Sequence, residues 1–119
     1  MASNAKKAVV GLGHFIYGWG FIQIALIGMA FFGAIRTDIH GYSGLLLTLA
    51  ALILFIASIM AKLGGKLIGL SLLLFLILGG QGFFIYSEGL APIVRGLHPI
   101  LGLVVMFMGR YIAGQAKAA

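Results

Sequence analysis

The sequence predicts an all-α integral membrane protein, a four-transmembrane-helix up-down bundle built from two tandem helical hairpins. Three observations carry that expectation. The 119 residues are 62% hydrophobic and 8% charged, with a mean hydropathy of +1.18, whereas a soluble domain carries roughly 25% charged and 45–50% apolar residues. Charges and turn residues cut the chain into four apolar stretches, and a hydrocarbon core of ~30 Å takes about 20 helical residues to cross. The chain also aligns with a displaced copy of itself at its rare polar residues. Eight basic and two acidic side chains cannot wet the surface of a soluble enzyme or a nucleic-acid-binding module. The lack of cysteine excludes a disulfide-stapled scaffold, a thiolate zinc site and an iron–sulfur cluster. The net charge of +6 is therefore read as membrane topology, with the lipid bilayer and not nucleic acid as the partner.

The first stretch spans approximately residues 8–35, with no charge from Ala8 to Ile35. Lys6-Lys7 suits the basic start of a signal peptide, but 28 uncharged residues are too many for its apolar segment, so a retained helix is expected. The second stretch covers residues 39–61, the third 67–87 and the fourth 97–115, the last interrupted only by Arg110. Lipid offers the backbone no hydrogen-bond partner, and none of these stretches alternates in polarity as a barrel strand does, so each is expected to be a helix. The connections Arg36–Asp38, Lys62–Lys66 and Glu88–Gly96 are short enough to make neighbours antiparallel. Residues 1–119 thus form a single membrane domain, with repeat units 8–61 and 67–115. Asp38 or Thr37 is expected to cap the second helix, and Pro99 suits a first turn, where its missing N–H costs nothing. Ala30-x-x-x-Ala34, Gly65-x-x-x-Gly69 and Gly109-x-x-x-Ala113 are small-residue pairs of the kind that let helices approach closely in lipid. Tyr17, Trp19, Tyr86 and Tyr111 are expected toward span ends, as aromatic belts.

Basic residues predict the orientation. Lys6, Lys7, Lys62, Lys66, Arg110 and Lys117 fall on one side, against Arg36 and Arg95 on the other. The positive-inside rule then places both termini in the cytoplasm, with the protein integral to the plasma (inner) membrane. Asp38 and Glu88, the only acids, face outward.

A shift of 58 residues lays Gln23 on Gln81, His40 on His98 and Gly44 on Gly102. The chain holds only three Gln and three His, so these coincidences outweigh those among its many Leu, Ile and Gly. Both halves read Gln, sixteen residues, His, three residues, Gly, which we interpret as a parallel repeat about an axis along the membrane normal. His40 and His98 then lie in the first turn of the second and fourth helices, near the outer face. In a four-helix square with neighbours ~9–10 Å apart, those helices face each other across a diagonal of roughly 13–14 Å. Two imidazoles reaching inward across it can share one metal, as the axial ligands of a flat macrocycle do. Gly44 and Gly102, one turn further along, leave clearance for a porphyrin or simply let helices pack. Gln23 and Gln81, ~13 Å below the outer ends of their helices, are expected to hydrogen-bond each other, or to contact a cofactor or a quinone carbonyl. His14 has no repeat partner, since position 72 is Leu, and suits a polar belt. Arg110 is expected to snorkel to the headgroups.

The stretches His40-Gly-Tyr-Ser-Gly44 and His98-Pro-Ile-Leu-Gly102 resemble the outer-end His-x-x-x-Gly of the four-helix units of heme A synthase and, more loosely, of cytochrome b561-type proteins. The resemblance covers most of the chain in topology and these two motifs in sequence. It implies that His40 and His98 are the axial pair of one heme b. Where heme A synthase carries a glutamate three residues before the first His, this chain has Thr37. The chain also resembles uncharacterised small four-helix membrane proteins with the same His and Gln repeat. Small multidrug exporters have a similar length but depend on a glutamate in their first helix, and this one has no acid there.

Arg36 and Arg95 precede the two histidines by four and three residues. They are candidates for outward-pointing heme propionates, or for loop ion pairs with Asp38 and Glu88. The leading expectation is a bis-His electron-transfer protein or subunit, exchanging electrons with a membrane quinol. The alternatives are a cofactor-free accessory subunit of a larger respiratory or photosynthetic membrane complex, a pigment-binding subunit with one magnesium per His, or interfacial histidines without a ligand. No acid–base constellation is visible, and no catalytic residue is assigned.

Overall fold

The computed structural model describes residues 1–119 and contains only helices. They are α1 (Asn4–Phe31), α2 (Thr37–Met60), α3 (Gly65–Tyr86), a single turn α4 (Pro92–Arg95) and α5 (His98–Ala118). Four segments are long and apolar enough to cross a membrane: α1, α2, α3 and the run Pro92–Ala118. They form a ring in the order α1, α2, α3, α5, with α5 closing against α1. Helices α2 and α5 are therefore the diagonal pair. Only 21 of 119 residues are buried, while Leu, Ile and Phe side chains cover the outside. That inverts the soluble pattern, as a lipid solvent requires. The buried seam consists of Val9, Ile16, Leu47, Leu54, Leu74 and Ile112.

The helix ends depart from the expected boundaries for local reasons. Helix α1 begins four residues early because the Ser3 hydroxyl accepts from the Lys6 N–H at 3.2 Å, a side-chain N-cap. It also ends early, at Phe31 rather than Ile35. Gly33 adopts φ +78°, and the N–H groups of Gly33 and Ala34 return to the carbonyls of Ala30 and Met29. This is a Schellman closure, which the missing glycine Cβ permits. Ala34 consequently lies beyond the helix, and Ala30-x-x-x-Ala34 is not a helical pair. Helix α2 closes the same way. Lys62 and Leu63 donate to Ile59 and Ser58, but the left-handed position is held by Lys62, at φ +52°. Neither Thr37 nor Asp38 caps α2, whose N-cap residue is Arg36, with no side-chain capping bond. Asp38 instead lies in the first turn, where a carboxylate favours the helix dipole. The Glu88–Gly96 connection contains α4, with Pro92 at its start.

Small residues mediate the α1–α5 contact. A Cβ on Gly13 would lie 2.5 Å from the Gly109 carbonyl oxygen and 2.9 Å from the Ala113 Cβ, so Gly109-x-x-x-Ala113 is a true packing face. Gly20 similarly makes room for Met106. A Cβ on Gly65 or Gly69, by contrast, would meet nothing within 4 Å, so that pair packs against no helix. Trp19 and Tyr17 sit near the middle of the 28-residue α1, not at a span end. The Trp19 indole donates to the buried Ser43 hydroxyl at 2.7 Å, joining α1 to α2. Ser58 and Ser71, both fully buried, meet at 2.8 Å between α2 and α3.

Candidate functional site

The diagonal brings the repeated histidines together. His40, one turn into α2, and His98, the first residue of α5, stand with ring centres 6.0 Å apart and planes at 76°. Both are half-buried, and they face each other instead of lipid. The Nδ1 of His40 lies 3.1 Å from the backbone carbonyl oxygen of Gln23. A carbonyl only accepts, so Nδ1 carries the proton and donates, leaving Nε2 with its lone pair free. A hydrogen bond of this kind orients the imidazoles of metal sites and raises their basicity.

Three buried side-chain atoms in the chain have no hydrogen-bond partner, and all three belong to this end: His98 Nδ1, Gln23 Oε1 and Asp38 Oδ1. Buried polar atoms are nearly always paired, and an unpaired cluster marks a place for water, an ion or a ligand. The donor set bears on which. No group of three or more His, Cys, Asp or Glu side chains is present, whereas a bare zinc-type ion takes three or four protein ligands. Two imidazoles complete only a group that brings most of its own donors, as a macrocycle does. With metal–imidazole bonds of ~2.0–2.1 Å, two rings on opposite sides of one ion stand roughly 6.3–6.5 Å apart between centres, a few tenths of an ångström more than the 6.0 Å between His40 and His98. Two facing imidazoles, with no third ligand, are the donor set present at this end.

The other expected residues divide. Gln23 and Gln81 do not pair through the Gln23 carbonyl, since Oε1 has no partner. Each amide lies instead against the glycine of the following long helix. A Cβ on Gly44 would be 3.1 Å from Gln23 Nε2, and one on Gly102 would be 4.0 Å from Gln81 Oε1. The clearance expected for a porphyrin at Gly44 and Gly102 thus receives the glutamine side chains, in a matched arrangement in both repeats. Arg36 pairs with Asp38 at 2.5 Å, the loop pairing. Arg95 does not reach Glu88, but donates to the Ile85 carbonyl at 2.9 Å, because the α4 turn carries it back over the end of α3. His14 is exposed on α1. Two neighbours of the site were not assigned to it from the sequence, which placed Tyr86 only in an aromatic belt and gave Ser43 no role. Tyr86 brings its hydroxyl to 3.5 Å from a Cβ position on Gly41, beside His40. Ser43 anchors Trp19 one turn below His40. Only the helix rotation, which composition does not encode, reveals either.

The chain matches no family model, no curated protein and no solved structure, so the histidine pair and its surroundings carry the functional reading.

Proposed function

We propose that this chain is a small integral membrane heme-binding protein or subunit, with His40 and His98 as the axial ligands of one heme b. The observation that carries the reading is the ring-to-ring approach of two histidines from matched positions of a repeat, 6.0 Å apart across the bundle diagonal. A bis-His heme supplies one-electron transfer and leaves no axial position open for oxygen. The chain's own groups do the positioning. The Gln23 carbonyl holds the His40 ring, and Pro99, at the start of α5, stiffens the turn that presents His98. Arg95, bound to a backbone carbonyl and to no acid, keeps its charge for propionates. The facing rings favour one shared group over two separate magnesium pigments.

In this reading the termini are cytoplasmic and the histidine end faces outward in the plasma membrane. The support is the clustering of Lys6, Lys7, Lys62, Lys66, Arg110 and Lys117 toward the other end. A quinol in the bilayer is the proposed electron source.

The test is an oxidised-minus-reduced absorption spectrum of protein purified from heme-replete cells, with a pyridine hemochrome assay. The expected result is a low-spin b-type spectrum at one heme per chain, lost in His40→Ala and in His98→Ala. A colourless protein overturns the proposal and leaves the accessory-subunit reading, testable by native pull-down.

A further inference from the structure

We propose that the end of the bundle carrying both termini binds one anionic phospholipid, its phosphate held by Lys62 and Lys66 and an acyl chain in the groove between α3 and α5. The lysine end of this site lies opposite the histidines, its groove extends along α5 as far as Ile100, and it does not depend on the heme reading.

Two concavities meet there. An apolar groove of about 670 Å³ runs along α3 and α5, lined by Leu70, Leu103, Val104, Phe107 and Met108 and reaching Lys66 and Tyr111. A second pocket of about 460 Å³ is bordered by the ammonium-bearing Lys6, Lys62 and Lys66 and by Gly64, Gly65 and Ala119. Lys66 borders both, so a cationic compartment and an apolar one join at one ammonium group. That is the outline of an amphiphile with a charged head and a hydrocarbon tail.

The charges determine the sign of the head. Asp38 and Glu88 are the only acids, and both lie at the histidine end, so no carboxylate side chain neutralises these lysines. Lys6 donates to the Ala119 carbonyl. Lys66 donates to the Tyr111 hydroxyl at 3.1 Å and lies 5.6 Å from the centre of its ring, which orients the ammonium without cancelling its charge. The Lys62 ammonium makes no hydrogen bond or ion pair within the chain, and the Lys62 backbone occupies the left-handed region at φ +52°, where glycine is the unstrained choice. A zwitterionic head would bring a quaternary ammonium against Lys62 and Lys66, a quinone has no charge to match them, and a second copy docking here would bring its own cations. An anionic phospholipid satisfies both compartments.

The experiment is native mass spectrometry of the full chain released from detergent, titrated with phosphatidylglycerol or phosphatidylcholine. One phosphatidylglycerol per chain is expected, in preference to phosphatidylcholine. At the usual contribution of a surface lysine, Lys62→Ala or Lys66→Ala weakens binding about fivefold and the double variant about 25-fold. Lys7→Ala/Lys117→Ala removes the same charge from the same end but outside both cavities, and should change affinity less than about twofold. Val104→Trp, at an exposed position in the groove, should abolish the preference without unfolding the chain, as read by circular dichroism. Equal binding of the two lipids, or equal weakening by the control pair, overturns the proposal in favour of diffuse attraction. Retained binding in Val104→Trp, or displacement of phosphatidylglycerol by a quinone, overturns the assigned occupant.

Discussion

Replacing Gly13 with alanine puts a methyl group against the backbone of the neighbouring helix, where α1 and α5 approach closely. Its Cβ would lie 2.5 Å from the Gly109 carbonyl oxygen, where ordinary contact begins at 3.4 Å. Helices α1 and α5 must therefore part locally by about 0.9 Å, the difference of those two distances. No side-chain rotation relieves the clash, because the obstacle is backbone. A gap of ~0.5–1 Å forfeits a quarter to a half of each dispersion contact across it, and overpacking of this kind costs about 1–3 kcal/mol. In lipid, where no hydrophobic effect draws helices together, that packing is the main attraction between them. Gly11 and Gly18 on the same helix have nothing within 4 Å of a Cβ, so Gly11→Ala and Gly18→Ala serve as matched controls. The assay is unfolding in mixed dodecyl sulfate micelles, followed by circular dichroism and by the emission of Trp19, the only tryptophan. Gly13→Ala should unfold at a lower sulfate fraction by the equivalent of about 1–3 kcal/mol, and the controls should match the wild type or exceed it slightly. Coincident curves for Gly13→Ala and Gly11→Ala would refute the close-approach argument.

Other substitutions test other links. Lys62→Gly should raise unfolding stability by up to ~1 kcal/mol in the same assay, because glycine adopts the left-handed conformation without the Cβ penalty; an unchanged midpoint would show that the turn is unstrained. Ser43→Ala removes the acceptor of the Trp19 indole N–H and should shift its emission to shorter wavelength, with secondary structure intact; an unmoved spectrum counts against the bond. Ser58→Ala and Ser71→Ala should each cost roughly 0.6 kcal/mol, the average for hydrogen bonds between membrane helices. Since each hydroxyl also lies within bonding distance of a carbonyl of its own helix, the double variant should cost less than the sum, and strict additivity would show that the two hydroxyls do not interact.

The four spans, their ring order and the diagonal placement of His40 and His98 follow from the sequence because lipid leaves few options. A charge-poor run must be a helix, and short loops must return it. The facing of the two imidazoles was legible only as a repeat of polar positions, since the pattern reports depth and not rotation about the helix axis. That rotation is what sends the Gln23 amide toward Gly44 instead of toward Gln81. Helix ends were misplaced where the stop signal was conformational. Gly33 is an ordinary glycine until its φ is known, and Lys62 carries no sign of a left-handed turn. Gly65 and Gly69 show the converse: small residues permit close approach but do not compel it, and these two face open space.

The uneven distribution of charge has an energetic consequence for topology. Arg36 and Arg95 are balanced in formal charge by Asp38 and Glu88, so the net charge of +6 rests on Lys6, Lys7, Lys62, Lys66 and Lys117 toward the opposite end and on Arg110 further in, which donates to the Tyr17 hydroxyl. Moving one charge across the bilayer against the potential requires about 2.3 kcal/mol per 100 mV. Inverting this bundle would carry the lysines across at a cost of roughly 11–12 kcal/mol per 100 mV, before any desolvation is counted. A membrane potential negative on the lysine side therefore opposes inversion of the chain, in the manner of an electrical ratchet.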